Sequence, residues 1–292
     1  MEIAVVGASG FVGSHVVPHL VAAGHQVRAV SRRAASAPPR AGVSPVAADV
    51  EMGQGLAAAL RGVDAVVHLV AIPRETGGRS FERVNVGGVA QVVAASHKAG
   101  VRRMVHLSAL GVVDNPRLRF LSSKWRGEAL VRESGLEWVV LRPSLLFGPG
   151  DGFFNLIKTT LTWWSPGVVA IPGDGQTRFQ PLSVDDLAIA VERSLTDDHR
   201  AGSVYELGGP AYLTYEQIVD RVMAATGKRR LKLHVPMALI GGLTAVTDRL
   251  LPIFPVSHDQ IGSMAAANFT DLDAFERAFG GQPRALDVSY LA

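Results

Sequence analysis

The segment IAVVGASGFVGSHVV, residues 3–17, decides the fold of this chain. Its first five residues form an apolar, β-branched run that predicts a buried strand, and the residues after Gly10 have helical spacing. Gly7, Gly10 and Gly13 form a G-x-x-G-x-x-G pattern between the two. Such a turn lets the backbone approach a pyrophosphate at the helix N-terminus. An ordinary glycine-rich turn is the alternative interpretation.

Four more runs of the same kind follow, separated by amphipathic segments that end in glycine. They are residues 26–30, 65–70, 103–108 and 137–143. Runs that are apolar on every side are typical of strands covered on both faces of a parallel sheet. Strands that alternate with helices predict right-handed β–α–β units. The predicted fold class is therefore α/β, a Rossmann-type doubly wound parallel sheet with a smaller, mainly helical C-terminal substrate domain.

The pattern changes after residue 143. A Gly/Pro-rich turn and the aromatic segment FFNLIKTTLTWW predict that the chain leaves the sheet there, and PLSVDDLAIAVERSL predicts a helix that returns to it. We therefore assign residues 1–150 to a dinucleotide-binding Rossmann domain, with a return around 176–204. Residues 151–175 and 205–292 are assigned to a smaller substrate or partner domain.

Composition limits the classes of function. The chain has 292 residues, of which 48% are hydrophobic and 19% charged, and its net charge is only +3, so nucleic acid is not an expected partner. The absence of cysteine excludes disulfides, thiolate nucleophiles and cysteine-based metal sites, and favours a cytoplasmic location. Residues 233–247 are too short and too interrupted to span a bilayer. We expect neither a transmembrane segment nor a secretory signal, while peripheral contact with the inner face of the membrane stays open.

The second predicted strand is followed by Ser31, Arg32 and Arg33, where an NAD-binding domain usually offers an acid to the ribose hydroxyls. Guanidinium groups suit a 2′-phosphate, so NADP(H) is favoured over NAD(H). A solvated basic loop is the alternative. After the third strand, Asp49 is expected to reach the adenine amino group and Val50 to pack on the adenine ring.

A set of motifs in consistent order carries a family resemblance. They are GASGFVG (7–13), VNVGGVAQVVAASHKAGVRRMVHLSALG (84–111), LRPSLLFGPGDGFFN (141–155) and RFQPLSVDDLA (178–188). Over residues 1–225 the chain resembles the extended and atypical short-chain dehydrogenase/reductases, and within them the NAD(P)-binding accessory subunits of respiratory complex I. The resemblance implies further cofactor-binding residues: Ser9, Phe11, Val12, Leu69, Val70, Ala71, Asn85, Lys124, Pro143 and Ser144.

The resemblance also implies a catalytic group, in which a Tyr and a Lys lie one helical turn apart near a Ser and an Asn. The matching residues here are Asn85, Ser108, Phe120 and Lys124, with Ala109 as the alternative to Ser108. Phe120 replaces the Tyr, and a phenyl ring can neither donate nor accept a proton. The resemblance therefore implies NADP(H) binding in a redox-sensing or accessory protein, with a membrane-complex or regulatory partner. The alternative is an NADPH-dependent reductase of a quinone, an enone or a similar small apolar molecule.

Several other side chains have both a functional and a structural interpretation. His15 and His19 could bind a metal or lie on a solvated helix face, and Asp185 and Asp186 could act in acid–base catalysis or cap a helix. Four aromatic residues could line an apolar substrate pocket or form the core of the second domain: Phe153, Phe154, Trp163 and Trp164. For Arg117 and Arg119, in a loop where a substrate lid would lie, the interpretation is contact with an anionic group. We favour the solvated face and the caps, and expect no metal site. His68 and His106 are expected to be buried and hydrogen-bonded.

Overall fold

The computed structural model describes residues 1–34, 40–163, 167–236 and 269–292, without the side chains of residues 162 and 163. The chain divides into two compact units. The first comprises Met1–Pro143 and Val184–Glu206, and the second comprises Ser144–Ser183 and Leu207–Ala292. The first unit is thus left at Pro143 and re-entered at Val184, whereas the predicted domain bounds are 150, 176 and 204. That the two units are a cofactor domain and a substrate domain stays a prediction.

The described residues form short strands and helices in alternation. The strands are β1 (Glu2–Val6), β2 (Gln26–Ser31), β3 (Val43–Ala47), β4 (Ala65–His68), β5 (Arg103–Leu107), β6 (Glu137–Pro143), β7 (Leu146–Phe147), β8 (Val168–Pro172), β9 (Arg178–Phe179), β10 (Leu182–Ser183), β11 (Ser203–Leu207), β12 (Leu213–Thr214) and β13 (Leu231–Val235). The helices are α1 (Phe11–Ala22), α2 (Leu56–Leu60), a π-helical turn (Glu82–Gly87) continuing into α3 (Gly88–Ala99), α4 (Arg119–Arg132), α5 (Phe153–Trp163), α6 (Val184–Thr196), α7 (Tyr215–Ala225) and α8 (Ala274–Phe279).

A seven-stranded sheet in the order β11-β6-β5-β4-β1-β2-β3 forms the centre of the first unit. Its pairings from β3 to β6 are parallel. Val6 lies opposite Val30 on one side and His68 on the other, so the strand order reverses between β1 and β4. Open α/β sheets bind ligands outside the carboxyl ends of the strands at such a reversal. The predicted doubly wound, Rossmann-type fold is confirmed.

Helices cover both faces of this sheet. On one face Val66, Met104 and Val140 belong to a buried cluster that includes Val92 from α3 and Val131 from α4. Helices α1 and α6 contribute nothing to this cluster; they pack on each other, and α1 also contacts β1 and β2 while α6 contacts β5 and β6. The central strands are therefore apolar on every side, as their sequences predict.

The described part of the second unit contains α5, α7, α8 and three two-stranded sheets, β7–β10, β9–β12 and β8–β13. Phe154 is fully buried in its core, and Phe153 packs there against Phe179 and Tyr215. Phe153 and Phe154 thus pack in the core of this unit. Trp164, the side chain of Trp163 and most of the 233–247 stretch lie outside the described residues.

Among the described residues, no helix is both long enough and apolar enough to cross a lipid bilayer.

The turn between β1 and α1 depends on two glycines. Gly7 has a φ of +99°, a conformation that L side chains rarely adopt, and its N–H donates to the Val30 carbonyl at 2.9 Å. A Cβ atom on Gly13 would lie 2.5 Å from the Gly7 carbonyl oxygen and 2.6 Å from that of Ala8. Helix α1 therefore passes directly over the turn, and residue 13 has no room for a side chain.

We expect Gly13→Ala to reduce the free energy of unfolding by about 1–3 kcal/mol, the usual cost of forcing an extra methyl group into a packed site. The neighbouring atoms belong to the backbone and cannot rotate away. Gly152→Ala is the control, since its Cβ would meet no atom within 4 Å. Urea unfolding of both variants checks this. Equal stability of the two would contradict the packing argument.

Candidate functional site

A groove lies at the carboxyl ends of β1, β2, β3 and β4, at the reversal of strand order. The predicted residues that line it are Gly7, Ser9, Gly10, Ser31, Arg32, Val50, Leu69, Val70 and Ala71. Val6, Val30, Ala48 and Arg79 complete the lining. The structure thus brings together the predicted phosphate turn, the basic end of β2 and the segment after β4.

The phosphate turn meets the groove at the N-terminus of α1. Gly10 is the N-cap residue, and no side chain caps the first turn. The unpaired amides and the helix dipole of such a terminus attract an anion. A Cβ on Gly10 would contact only the Gly7 oxygen, at 3.4 Å, so the fold does not require glycine there. The missing side chain instead leaves space in the groove, which fits a pyrophosphate group.

The remaining residues predicted for this turn have different positions. Phe11 and Val12 open α1 but do not line the groove, and Gly13 serves the packing of the helix on the turn. Arg33 also lies outside the lining, although its neighbour Arg32 is part of it.

Asp49 forms a turn rather than a groove wall. Its carboxylate accepts the N–H of Glu51 at 2.8 Å, and its own N–H donates to the Gln54 carbonyl at 2.9 Å. Val50, between Asp49 and Glu51, lines the groove as predicted. The Asp49 carboxylate is thus held by the backbone of its own turn. Its contact with adenine stays a prediction.

Helix α4 carries Phe120 and Lys124, the two residues that the resemblance matches to a catalytic Tyr and Lys. Phe120 packs in an apolar cluster with Ile72, Phe81 and Val84, and its ring centroid lies 5.9 Å from that of Phe81. Lys124, one turn later, is 4% exposed, and its Nζ donates to the Leu107 carbonyl at 2.5 Å. The helix therefore presents a buried ammonium and, at the preceding turn, an apolar ring.

Ser108 directly follows β5. Its N–H donates to the Leu141 carbonyl at 2.8 Å, which extends the sheet by one residue. Its Oγ is buried and has no hydrogen-bond partner within the described chain. A ligand or water oxygen would satisfy this hydroxyl, which agrees with a place in a binding site.

Asn85 links two segments of the site. Its Oδ1 accepts the Ile72 N–H at 2.9 Å, and its Nδ2 donates to the Ile72 carbonyl and to the Ser123 Oγ at 3.2 and 3.0 Å. The Ser123 hydroxyl donates in turn to the Phe120 carbonyl at 2.6 Å. Asn85 thereby joins the segment after β4 to the first turn of α4. Its predicted contact with a cofactor stays a prediction.

His68 and His106 lie side by side in adjacent strands, with their Nδ1 atoms 3.1 Å apart and their rings stacked. Burial, reinforced by the charge of Lys124, lowers the pKa of His68 to about 3 and holds that of His106 well below its usual value. Both rings are therefore neutral near pH 7, and one donates its Nδ1–H to the other. The prediction of buried, hydrogen-bonded histidines is confirmed.

The other predicted side chains are engaged elsewhere. His15 Nδ1 lies 2.9 Å from Asp185 Oδ1, and Asp185 and Asp186 occupy the first turn of α6. Arg119 pairs with Glu75 at 2.5 Å, while Arg117 is exposed. The described residues contain no cluster of three or more potential metal ligands.

Pro143 ends β6, where its carbonyl accepts the Leu110 N–H at 2.9 Å, and Ser144 begins the second unit. Sequence reasoning missed four residues of the groove lining, Val6, Val30, Ala48 and Arg79, of which the one charged residue is Arg79. The sequence signal for Arg79 is weak: the Gly77–Gly78 pair before this residue predicts a turn but does not indicate where the turn directs the Arg79 side chain.

Burial lowers the pKa of Lys124 from 10.5 to about 8, against the opposing attraction of Glu128. Below pH 8 the folded protein bears the full cost of a buried charge. Between pH 8 and 10.5 only the unfolded chain holds this proton, so folding becomes more favourable as the pH rises. We expect wild type to gain about 3 kcal/mol relative to Lys124→Met across this range.

Urea unfolding of wild type and Lys124→Met at several pH values from 7 to 10.5 measures this gain. The variant Lys98→Met, at an exposed position on α3, is the control and should show no such trend. A stability difference between wild type and Lys124→Met that does not change with pH would show that the Lys124 pKa is not lowered.

Comparisons with known proteins agree with this geometry. The mitochondrial 40 kDa subunit of NADH-ubiquinone oxidoreductase from Neurospora crassa is 30% identical, over 77% of this chain and 60% of its own length. The 2-alkyl-3-oxoalkanoate reductase of Stenotrophomonas maltophilia is 26% identical, over 97% of this chain and 95% of its own. The structure of MoeE5 with UDP-glucose and NAD is 27% identical, with a TM-score of 0.68, over 81% of this chain and 85% of its own.

A match to a protein family also indicates cofactor binding. Residues 7–158, more than half of the chain, match the family described as NAD(P)H-binding. The matched region begins at the first glycine of the turn and contains Phe120, Lys124 and every groove residue except Val6. The chain therefore belongs to the NAD(P)H-binding family.

Proposed function

We propose that this protein binds NADP(H) in preference to NAD(H), and acts as a cofactor-binding protein, either a redox sensor or an accessory subunit. The observation that carries the proposal is the ring of Phe120, which packs against Phe81 at the position that the resemblance matches to the family's Tyr. On that match the chain has no general acid for ordinary carbonyl reduction, while the groove is present.

The charge of the groove supports the choice of NADP(H). Arg32 and Arg79 are its charged lining residues, and none of the described lining residues is acidic. A carboxylate after β2 would bind the ribose hydroxyls of NAD and repel a 2′-phosphate. A guanidinium offers the phosphate charge-assisted, paired hydrogen bonds.

The Neurospora relative, named as a subunit of NADH-ubiquinone oxidoreductase, supports an accessory role. The partner in this proposal is a membrane complex or a regulatory protein, and the protein acts in the cytoplasm or at the inner face of the membrane. Ser108, Asn85, Pro143 and Ser144 would hold the nicotinamide end together with Lys124.

The second candidate is an NADPH-dependent reductase of a quinone, an enone or a similar activated acceptor. It is favoured by the retained, buried ammonium of Lys124 and by the relative named as a reductase. Bound NADPH would supply a hydride to the acceptor, and water would supply the proton. Lys124 would orient the ribose, and Ser108 Oγ would donate a hydrogen bond to the acceptor.

Fluorescence titration tests the cofactor preference. We expect NADPH to bind more tightly than NADH, and Arg32→Ala to weaken NADPH binding by about tenfold or more while changing NADH binding less than about twofold, because only NADPH carries the extra phosphate. Arg61→Ala, at an exposed position after α2, should change neither. Gly10→Ala should weaken both, because its methyl group occupies the phosphate turn. Equal affinity for the two cofactors, unchanged in Arg32→Ala, would refute the preference.

A second assay distinguishes a binding protein from a reductase. We expect the wild type to consume no NADPH with ketones, because the position matched to the general acid is apolar, and none with quinones or enones if the protein only binds the cofactor. Phe120→Tyr restores the missing hydroxyl and should produce measurable ketone reduction if the site is otherwise intact. Wild-type consumption with quinones or enones, lost in Lys124→Met but kept in Lys98→Met, would instead establish the reductase.

A further inference from the structure

Arg79 reaches the groove through a tight turn. The connection after β4 reverses at Thr76–Arg79, where Gly77 and Gly78 have φ values of +58° and +76° and the Arg79 N–H donates to the Thr76 carbonyl at 3.1 Å. Two successive residues with positive φ define a type I′ turn, which only glycine and a few small polar residues form readily. The turn places Arg79 in the same lining as Arg32.

A buried carboxylate holds the Arg79 side chain. Arg79 Nε donates to Glu51 Oε1 at 2.5 Å, and the Glu51 side chain is only 7% exposed. Arg83 approaches the other oxygen of this carboxylate at 3.2 Å, with a side chain that is 57% exposed. Two guanidinium groups thus share one carboxylate, so the group of three keeps a net positive charge.

This arrangement leaves hydrogen-bonding capacity on Arg79. Within the described residues, Glu51 is the only recorded partner of its guanidinium, and the bond uses Nε. A guanidinium has five N–H donors, so the two terminal amino groups can still donate hydrogen bonds to a ligand. Because the side chain is already fixed by Glu51, binding there costs less conformational entropy than binding by a mobile surface arginine.

We propose that Arg79 is a second recognition residue for the 2′-phosphate, acting with Arg32 from another wall of the groove. This inference rests on the proposed preference for NADP(H) and names a residue that determines it. A phosphate monoester has three acceptor oxygens and close to two negative charges, enough for two guanidinium groups. Glu51 positions Arg79 and does not touch the cofactor.

The test compares adenosine 2′,5′-bisphosphate with AMP as competitors for bound NADPH in the full-length protein, beside direct titrations with NADPH and NADH. The two competitors differ only in the 2′-phosphate. We expect Arg79→Ala to weaken binding of the bisphosphate and of NADPH by about tenfold or more, and that of AMP and NADH by less than about twofold. Arg83→Ala, which removes the exposed partner of the same carboxylate, should change all four by less than about twofold.

Removing Arg79 leaves Glu51 with one partner and can weaken the fold. The comparison is therefore repeated between Glu51→Gln and the double variant Glu51→Gln, Arg79→Ala, in which no buried carboxylate loses its partner. We expect the same selective loss of 2′-phosphate binding there. An equal loss for all four ligands would place Arg79 against the adenosine or 5′-phosphate that they share and overturn the proposal, as would no loss for any.

Failure of this inference is distinguishable from failure of the proposed function. Wild-type protein that binds NADPH no more tightly than NADH refutes the cofactor preference, whatever the variants do. Wild-type protein that prefers NADPH, with the preference lost in Arg32→Ala and intact in Arg79→Ala, refutes the role of Arg79 alone.

Discussion

The close approach of α1 to the end of β1 is the constraint on which the rest of the site depends. Because residue 13 has no side chain, the helix begins directly above the carbonyls of Gly7 and Ala8. The turn is also tied to the neighbouring strand through the Val30 carbonyl. The unpaired amides of the helix therefore lie where β1, β2 and β4 end, and the other walls of the groove are arranged around that point.

Helix α4 presents two side chains of opposite character on successive turns. Its first turn contributes an aromatic ring to an apolar cluster, whereas its second holds an ammonium against the Leu107 carbonyl. Burying a charge is costly unless it is paired, and here one carbonyl and the distant attraction of Glu128 offset that cost only in part. The helix thus holds a buried cation one turn after a phenyl ring that can neither donate nor accept a proton.

The fold could be predicted because its signals are local: each buried strand is a continuous apolar run, and the glycine spacing marks the first turn. The groove was predictable where it follows directly from strand ends, as for Arg32 and Val50. Arg79 was not, because its position depends on a glycine turn and on an ion pair with Glu51, which precedes it by a strand and a helix. The sequence also did not indicate that the Asp49 carboxylate accepts the N–H of Glu51 within its own turn.

The hydrogen bond between His68 and His106 couples the tautomers of two buried rings. Either ring can donate the Nδ1–H, and whichever accepts carries its own hydrogen on Nε2. Exchanging the two roles moves no net charge but reverses the local dipole across β4 and β5. The two Nε2 atoms are buried and lack partners among the described residues. The sheet therefore has two tautomeric states of equal charge and opposite polarity at its centre.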